Sequence, residues 1–224
     1  MQLFVRSSLA APFSSRFASI EAFCAILLPM VSDLCAVILA GGQSRRMGCN
    51  KALLPLDGRT LIQTVADRVR PLTDQLLLSS DDQTSYRFLD LPTVPDLFRG
   101  QGPLAGLHAA MLQSSRELFI LLACDMPALH EDLLHRLVSS AGGFDAVIPR
   151  TSDGRIHPLC AVYRRTCFPS IESNLRMGIN RVTDIFILSD LQVRWLDAAV
   201  SGFMDQDFVN LNTPEDLSAY TSGG

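Results

Sequence analysis

Apolar residues fall along the chain in short unbroken runs that alternate with stretches of helical spacing. Leu34–Leu39 is a strand-length apolar run. Thr60–Val69 sets Leu61, Ile62, Val65, Ala66 and Val69 on one helical face, with Pro71 just past its end. Gln75–Leu78 and Thr93–Val94 read as short strands, the second running into Pro95-Asp96. Pro103 opens a helix that reaches Gln113. Leu118–Leu122 is the next strand and leads into Ala123-Cys124-Asp125; a helix over His130–Ser140 and a strand over Ala146–Ile148 follow. Beyond residue 150 the pattern is less regular. His157–Tyr163 reads as a strand, Thr166–Met177 and Val182–Leu188 as helices, Leu191–Leu196 as a strand and Phe208–Leu211 as a short one. Thr213-Pro214-Glu215-Asp216 then carries the cap, the first-turn proline and the acids of a final helix.

Such alternation predicts an α/β fold, three-layer α/β/α and doubly wound, with a mostly parallel sheet. One Rossmann-like domain over residues 34–220 accounts for it, since no repeat or low-complexity linker interrupts the chain. Ligands of such sheets bind outside the carboxyl ends of the strands. The segment after Leu39, Asp96 and Asp125 all fall at those ends. Residues 1–29 are expected to stay outside the fold. Their first twenty positions carry Arg6 and Arg16 but no acid. The apolar run that follows is too short to span a membrane and holds Pro29. The segment reads as a targeting leader or as a start upstream of the true Met30, with the second preferred.

The 224 residues are 48% hydrophobic and 19% charged, enough to bury a sizeable core. A net charge of −4 without a basic stripe argues against a nucleic-acid partner. The six cysteines form no Cys-x-x-Cys pair and mostly sit in apolar stretches, as thiols of a reducing, cytoplasmic setting do. Cys49 is the exception, lying in the glycine-rich segment.

That segment, Leu39-Ala40-Gly41-Gly42-Gln43-Ser44-Arg45-Arg46-Met47-Gly48-Cys49-Asn50-Lys51, carries most of the chemistry. Glycines at a strand end let the backbone turn and approach a ligand closely. Backbone N–H groups with Arg45, Arg46 and Lys51 then make a concave site for a polyanion. It is not a Walker A loop, because Asn50 precedes and Ala52 follows the lysine, and no Gly-x-Gly-x-x-Gly is present. The order Leu-Ala-Gly-Gly-x-Ser-x-Arg-Met-Gly-x-x-Lys resembles the signature of the nucleotidyltransferases, and among them most closely the molybdenum cofactor guanylyltransferases. The resemblance extends over residues 34–220, through Cys124-Asp125 and Asn212–Leu217.

The resemblance implies transfer of GMP from GTP to molybdopterin, giving molybdopterin guanine dinucleotide and pyrophosphate. Lys51, Arg45 and Asp125 would be catalytic, with Mg2+ held by Asp125. Leu39, Ala40, Gly41, Gly42, Lys51, Ser79, Asp96 and Asp125 would bind the nucleotide, and Arg181, Asn210, Asn212 and His157 the acceptor. Gln101–Gly106 resembles the family's Gly-Pro-Leu-x-Gly loop. Two positions depart from the family pattern: Asn50 stands where an aspartate usually precedes the lysine, and Ser79 where one motif has asparagine. Plain structural roles compete at several sites. Asp125 would otherwise cap a helix, Asp96 a turn, His157 would be an ordinary strand histidine, and Asn212 a neighbour of the Thr213 cap. Two other functions stand beside the first: a cytidylyltransferase using CTP, whose relatives tend to Leu-Ala-Ala-Gly, and a silent nucleotide or pterin carrier. Further expected partners are molybdopterin-handling proteins and molybdoenzymes in transient contact; no membrane partner is expected.

Overall fold

The computed structural model describes residues 31–41, 50–187, 189–211 and 213–222. Residues 1–30, with the leader reading made for them, lie outside the described residues. In chain order the elements are β1 (Leu34–Leu39), β2 (Pro55–Leu56), β3 (Arg59–Thr60), α1 (Leu61–Val69), β4 (Gln75–Ser79), β5 (Thr93–Val94) and α2 (Pro103–Gln113). They continue with β6 (Leu118–Ala123), α3 (Glu131–Ser139), β7 (Ala146–Arg150), β8 (Cys160–Arg164), α4 (Phe168–Arg176), β9 (Val193–Asp197), α5 (Ala198–Ser201) and α6 (Pro214–Ser222). The main sheet has seven strands in the order β5-β4-β1-β6-β8-β7-β9. Neighbours run parallel except at β8, which is antiparallel to both β6 and β7. The cause is local: only the loop of residues 151–159 joins β7 to β8, and a parallel neighbour would need a crossover of a dozen or more residues.

Strand alternation sends successive residues of β1 to opposite faces of the sheet. Leu34, Ala36 and Ile38 join a core with Ile62, Val65 and Ala66 of α1 and Leu133, Leu134 and Leu137 of α3. Cys35, Val37 and Leu39 join another with Leu104, Leu107 and Met111 of α2 and Ile171 and Leu175 of α4. A fully buried side chain of this kind contributes roughly 1.5–3 kcal/mol. α1 starts where the sequence places it, because Thr60 and Gln63 form a reciprocal capping box: Thr60 N–H donates to Gln63 Oε1 at 2.8 Å and Gln63 N–H to Thr60 Oγ1 at 3.3 Å. At the other end of the chain, Thr213 and Asp216 cap α6 in the same way.

Three expectations from the second half are corrected. His157–Leu159 are not strand: Cys160 N–H closes a turn onto His157 O at 3.0 Å, and β8 begins only at Cys160. Val182–Phe186 is a 3-10 turn rather than an α-helix. Phe208 ends a second 3-10 turn, Asp205–Phe208, and no strand follows it among the described residues. No helix among the described residues is long and apolar enough to cross a membrane.

Cys35, Cys124, Cys160 and Cys167 are free thiols, and burial pushes Cys35 up to about 11 and Cys124 and Cys167 up to about 12. His108 on α2 is buried with them in the apolar interior. It stacks on Phe168 with centroids 5.0 Å apart and meets Phe98 edge-on at 5.1 Å. Neither of its ring nitrogens has a hydrogen-bond partner among the described residues. Burial lowers its pKa below the ordinary 6.5; Glu172 opposes the shift and Arg176 adds to it. The unfolded chain therefore takes up this proton first as pH falls. The stability concerned is complete above the unfolded pKa and is lost as pH drops through 6.5 toward the lower folded value. His108→Phe should reduce the acid-side loss of stability, because it removes the group whose folded-state pKa is lowered. Urea midpoints of both proteins on either side of that range measure it, and identical pH slopes would refute it.

Candidate active site

β1 is the point at which the winding of the sheet reverses. The chain goes outward to β4 and β5, then returns to β6 on the other side of β1. Crevices form at the carboxyl ends of the two strands flanking such a point. Leu39 pairs with Ala123 at that end, so Gly41 and Asp125 leave neighbouring strands side by side. A cleft of about 430 Å³ opens there, and Leu39, Gly41, Lys51, Asp125, His157 and Asn210 are among its lining residues. Six residues singled out from separate parts of the sequence thus share one cavity.

Lys51 is set by a cap. Asn50 Oδ1 accepts from Ala52 N–H at 3.2 Å and starts the 3-10 turn Lys51–Leu53. Asp125 is half-buried in the turn after β6. Burial raises its pKa above the ordinary carboxylate value, while the Lys51 charge pulls it down. The two groups are therefore electrostatically coupled across the cleft. Leu211 N–H donates to Asp125 O at 2.9 Å and so tethers the segment carrying Asn210 to the same strand end.

His157 lies face to face with Phe208, centroids 4.1 Å apart and planes 21° off parallel. Its Nε2 is 3.4 Å from Thr151 Oγ1. Burial and then the Arg155 charge lower its pKa below 6.5, with Asp153 and Asp205 opposing, which leaves the ring neutral at neutral pH. A second cleft of about 410 Å³ shares Arg155, His157, Phe208 and Asn210 with the first and adds Thr151, Asp153 and Asp205. The two join through these shared residues into one trough, with Lys51 and Asp125 in the first part alone and Arg155 where the parts meet.

Ser79 and Asp96 meet beside this trough. Ser79 Oγ donates to Asp96 Oδ1 at 3.1 Å, and Ala40 N–H donates to Ser79 O at 3.0 Å. Burial raises the Asp96 pKa; the Ser79 hydrogen bond opposes this and Asp81 adds to it. Gly106 of α2 packs directly on Ser79. A Cβ there would overlap Ser79 Oγ and come within 2.7 Å of Leu39 Cδ2. Gly106→Ala should therefore cost about 1–3 kcal/mol and displace Ser79 from Asp96. Thermal melting and nucleotide titration check this, and an unchanged melting curve would refute the contact.

Some candidates are not brought in. Arg181 is exposed before the 3-10 turn packed on the α2/α4 side and lines neither cleft. Gly42, Arg45 and Asn212 lie outside the described residues. Arg155 and Phe208 are among the lining residues that sequence reasoning missed. The one available signal was the placing of Arg155 two positions before His157 at the end of a strand.

Among the described residues no group of three or more His, Cys, Asp or Glu is arranged to hold a metal ion. Asp125 supplies one carboxylate. That donor set suits a hard cation whose remaining ligands are phosphate oxygens and water, as with magnesium.

A mostly parallel sheet with a glycine, a lysine and an acid at its switch point defines a Rossmann-like nucleotidyltransferase. The sequence profile of the MobA-like NTP transferase domain matches residues 36–189, and the chain belongs to that family. It is an enzyme of the nucleotidyltransferase class, with a nucleotidyl-transfer role in molybdenum cofactor biosynthesis. The molybdenum cofactor guanylyltransferase of Desulfosudis oleivorans is 35% identical over 186 residues, 81% of this chain and 91% of that one. That of Yersinia pseudotuberculosis is 35% identical over 195 residues, 85% and 96% of the two chains. The crystal structure of molybdopterin-guanine dinucleotide biosynthesis protein A from Archaeoglobus fulgidus superposes with a TM-score of 0.70 at 27% identity, covering 84% of this chain and 99% of its own.

Proposed function

We propose that this enzyme transfers GMP from GTP to molybdopterin. The acceptor's phosphate oxygen bonds to the α-phosphorus, the bond to the β-phosphate breaks, and pyrophosphate leaves. Both reactants are anionic, so the protein's main task is to hold them in line and offset charge. The observation that carries the reading is that Lys51 and Asp125 line the same cleft as Arg155, His157 and Asn210, and that the last three also line the cleft adjoining it.

In this reading Gly41 and Lys51 hold the triphosphate, Lys51 as a compact charge, and Arg45 adds a second cation. Asp125 would hold magnesium, which when bound would neutralise charge on the phosphates and the leaving pyrophosphate. Leu39, Ala40, Gly42, Ser79 and Asp96 serve the nucleoside. A carboxylate at 96 suits guanine, which offers two adjacent N–H donors, better than cytosine. His157 on Phe208 offers a flat, neutral surface to the pterin, and Asn210 and Asn212 read its edges. Arg155, lining both clefts, is better placed than Arg181 for the acceptor phosphate. Residues 34–220 form the catalytic domain.

The test is incubation with molybdopterin, magnesium and either GTP or CTP, with pyrophosphate followed and the product's nucleotide identified. Guanine in the product is the expected result. Cytosine would make it a cytidylyltransferase, and no pyrophosphate with either would make it a carrier.

A further inference from the structure

Asn50 departs from the family's usual aspartate, and its surroundings give the departure a role. Tyr86 is 3% exposed and packs in the α1/α3 core. Its hydroxyl lies 3.1 Å from Ala40 O, 2.9 Å from Asn50 Nδ2 and 3.2 Å from Asn50 Oδ1. A phenol has a single proton to give. Asn50 Oδ1 already accepts from Ala52 N–H. One assignment gives each of these groups a partner: the Asn50 amide donates to Tyr86 Oη, and Tyr86 O–H donates to Ala40 O.

We infer that Tyr86 is a positioning residue for Lys51, acting through Asn50 as a relay that ties the carboxyl end of β1 to the residue before the lysine. The inference rests on Lys51 holding the nucleotide phosphates. Ala40 and Asn50 flank Gly41 and Lys51, which both line the cleft, whereas Tyr86 does not line it. Tyr86 therefore acts through the chain it fastens. The relay also explains the amide. A carboxylate at 50 is acceptor-only, so Tyr86 would have to turn its proton toward it, and Ala40 O would lose its donor. Asn50 and Tyr86 are a matched pair, and an aspartate is the wrong partner for this tyrosine.

Steady-state kinetics on the full-length enzyme test this. Tyr86→Phe keeps the ring and its packing but removes the hydroxyl. It should raise the nucleotide KM about fivefold or more, the size of one buried hydrogen bond, and leave the acceptor KM within twofold of wild type. Asn50→Asp should do the same alone and add nothing in the Tyr86→Phe background, because both break one relay. Asn50→Ala, at a half-buried position, carries the same comparison should Tyr86→Phe lose its fold. Additive effects in the double variant would overturn the relay. So would a nucleotide KM within twofold of wild type in Tyr86→Phe when Lys51→Ala raises it strongly. An unchanged nucleotide KM in Lys51→Ala would instead overturn the reading of the site itself.

Discussion

Asp125→Asn should keep its fold and lose at least about a hundredfold in turnover. A ligand to a catalytic cation contributes several kcal/mol to stabilising charge in the transition state, and each 1.36 kcal/mol is a factor of ten in rate. The stability half of the expectation comes from the same site. Burial makes the Asp125 charge costly, as its raised pKa shows, and the Lys51 charge only partly offsets this. An amide of the same shape removes the costly charge and leaves untouched the hydrogen bond from Leu211 N–H to the main-chain Asp125 O. Melting temperature should therefore hold or rise while pyrophosphate release collapses. That opposite movement is expected of a residue kept for chemistry. Ordinary pyrophosphate release by a well-folded Asp125→Asn enzyme would remove Asp125 from the mechanism.

What was legible in the sequence follows from where the physics is local. Leu34–Leu39 and Pro103–Gln113 are read correctly because an unbroken apolar run and a first-turn proline need no tertiary information. The hairpin Pro55–Thr60 was missed although Asp57-Gly58 marks it; both residues take positive φ, 49° and 79°, as a tight two-residue hairpin turn requires. His157–Leu159 was misread because an apolar run continues through a turn that Pro158 helps to make. The residues at strand ends were findable, since topology alone gathers them at one edge. Phe208 and Tyr86 were not. Phe208 and Tyr86 matter through a ring stacked on His157 and a hydroxyl reaching Ala40, 46 positions away, and no spacing along the chain announces either contact. Arg181 lies outside both clefts for the converse reason: its neighbourhood in sequence looked right, but the turn after it packs on the opposite side of the sheet from α1 and α3.

Lys51→Ala and Arg155→Ala should separate the nucleotide side of the trough from the acceptor side. Lys51 meets the first cleft beside Gly41 and Asp125, whereas Arg155 lines both clefts next to His157 and Phe208. If the nucleotide's phosphates lie against Lys51, its removal should raise the nucleotide KM by about tenfold to a hundredfold. A charge-assisted contact to phosphate is worth about 1.5–3 kcal/mol. The acceptor KM should stay within a factor of about two. Arg155→Ala should show the reverse, because its guanidinium can fork onto the acceptor's phosphate. Neither change should unfold the protein: both side chains reach the cleft, and Arg155 is exposed. The decisive measurement is the pair of KM values in each variant. Were Lys51→Ala to spare the nucleotide and weaken the acceptor, the nucleotide and acceptor assignments would have to be exchanged. Asp125, coupled to Lys51, would then belong with the acceptor as well.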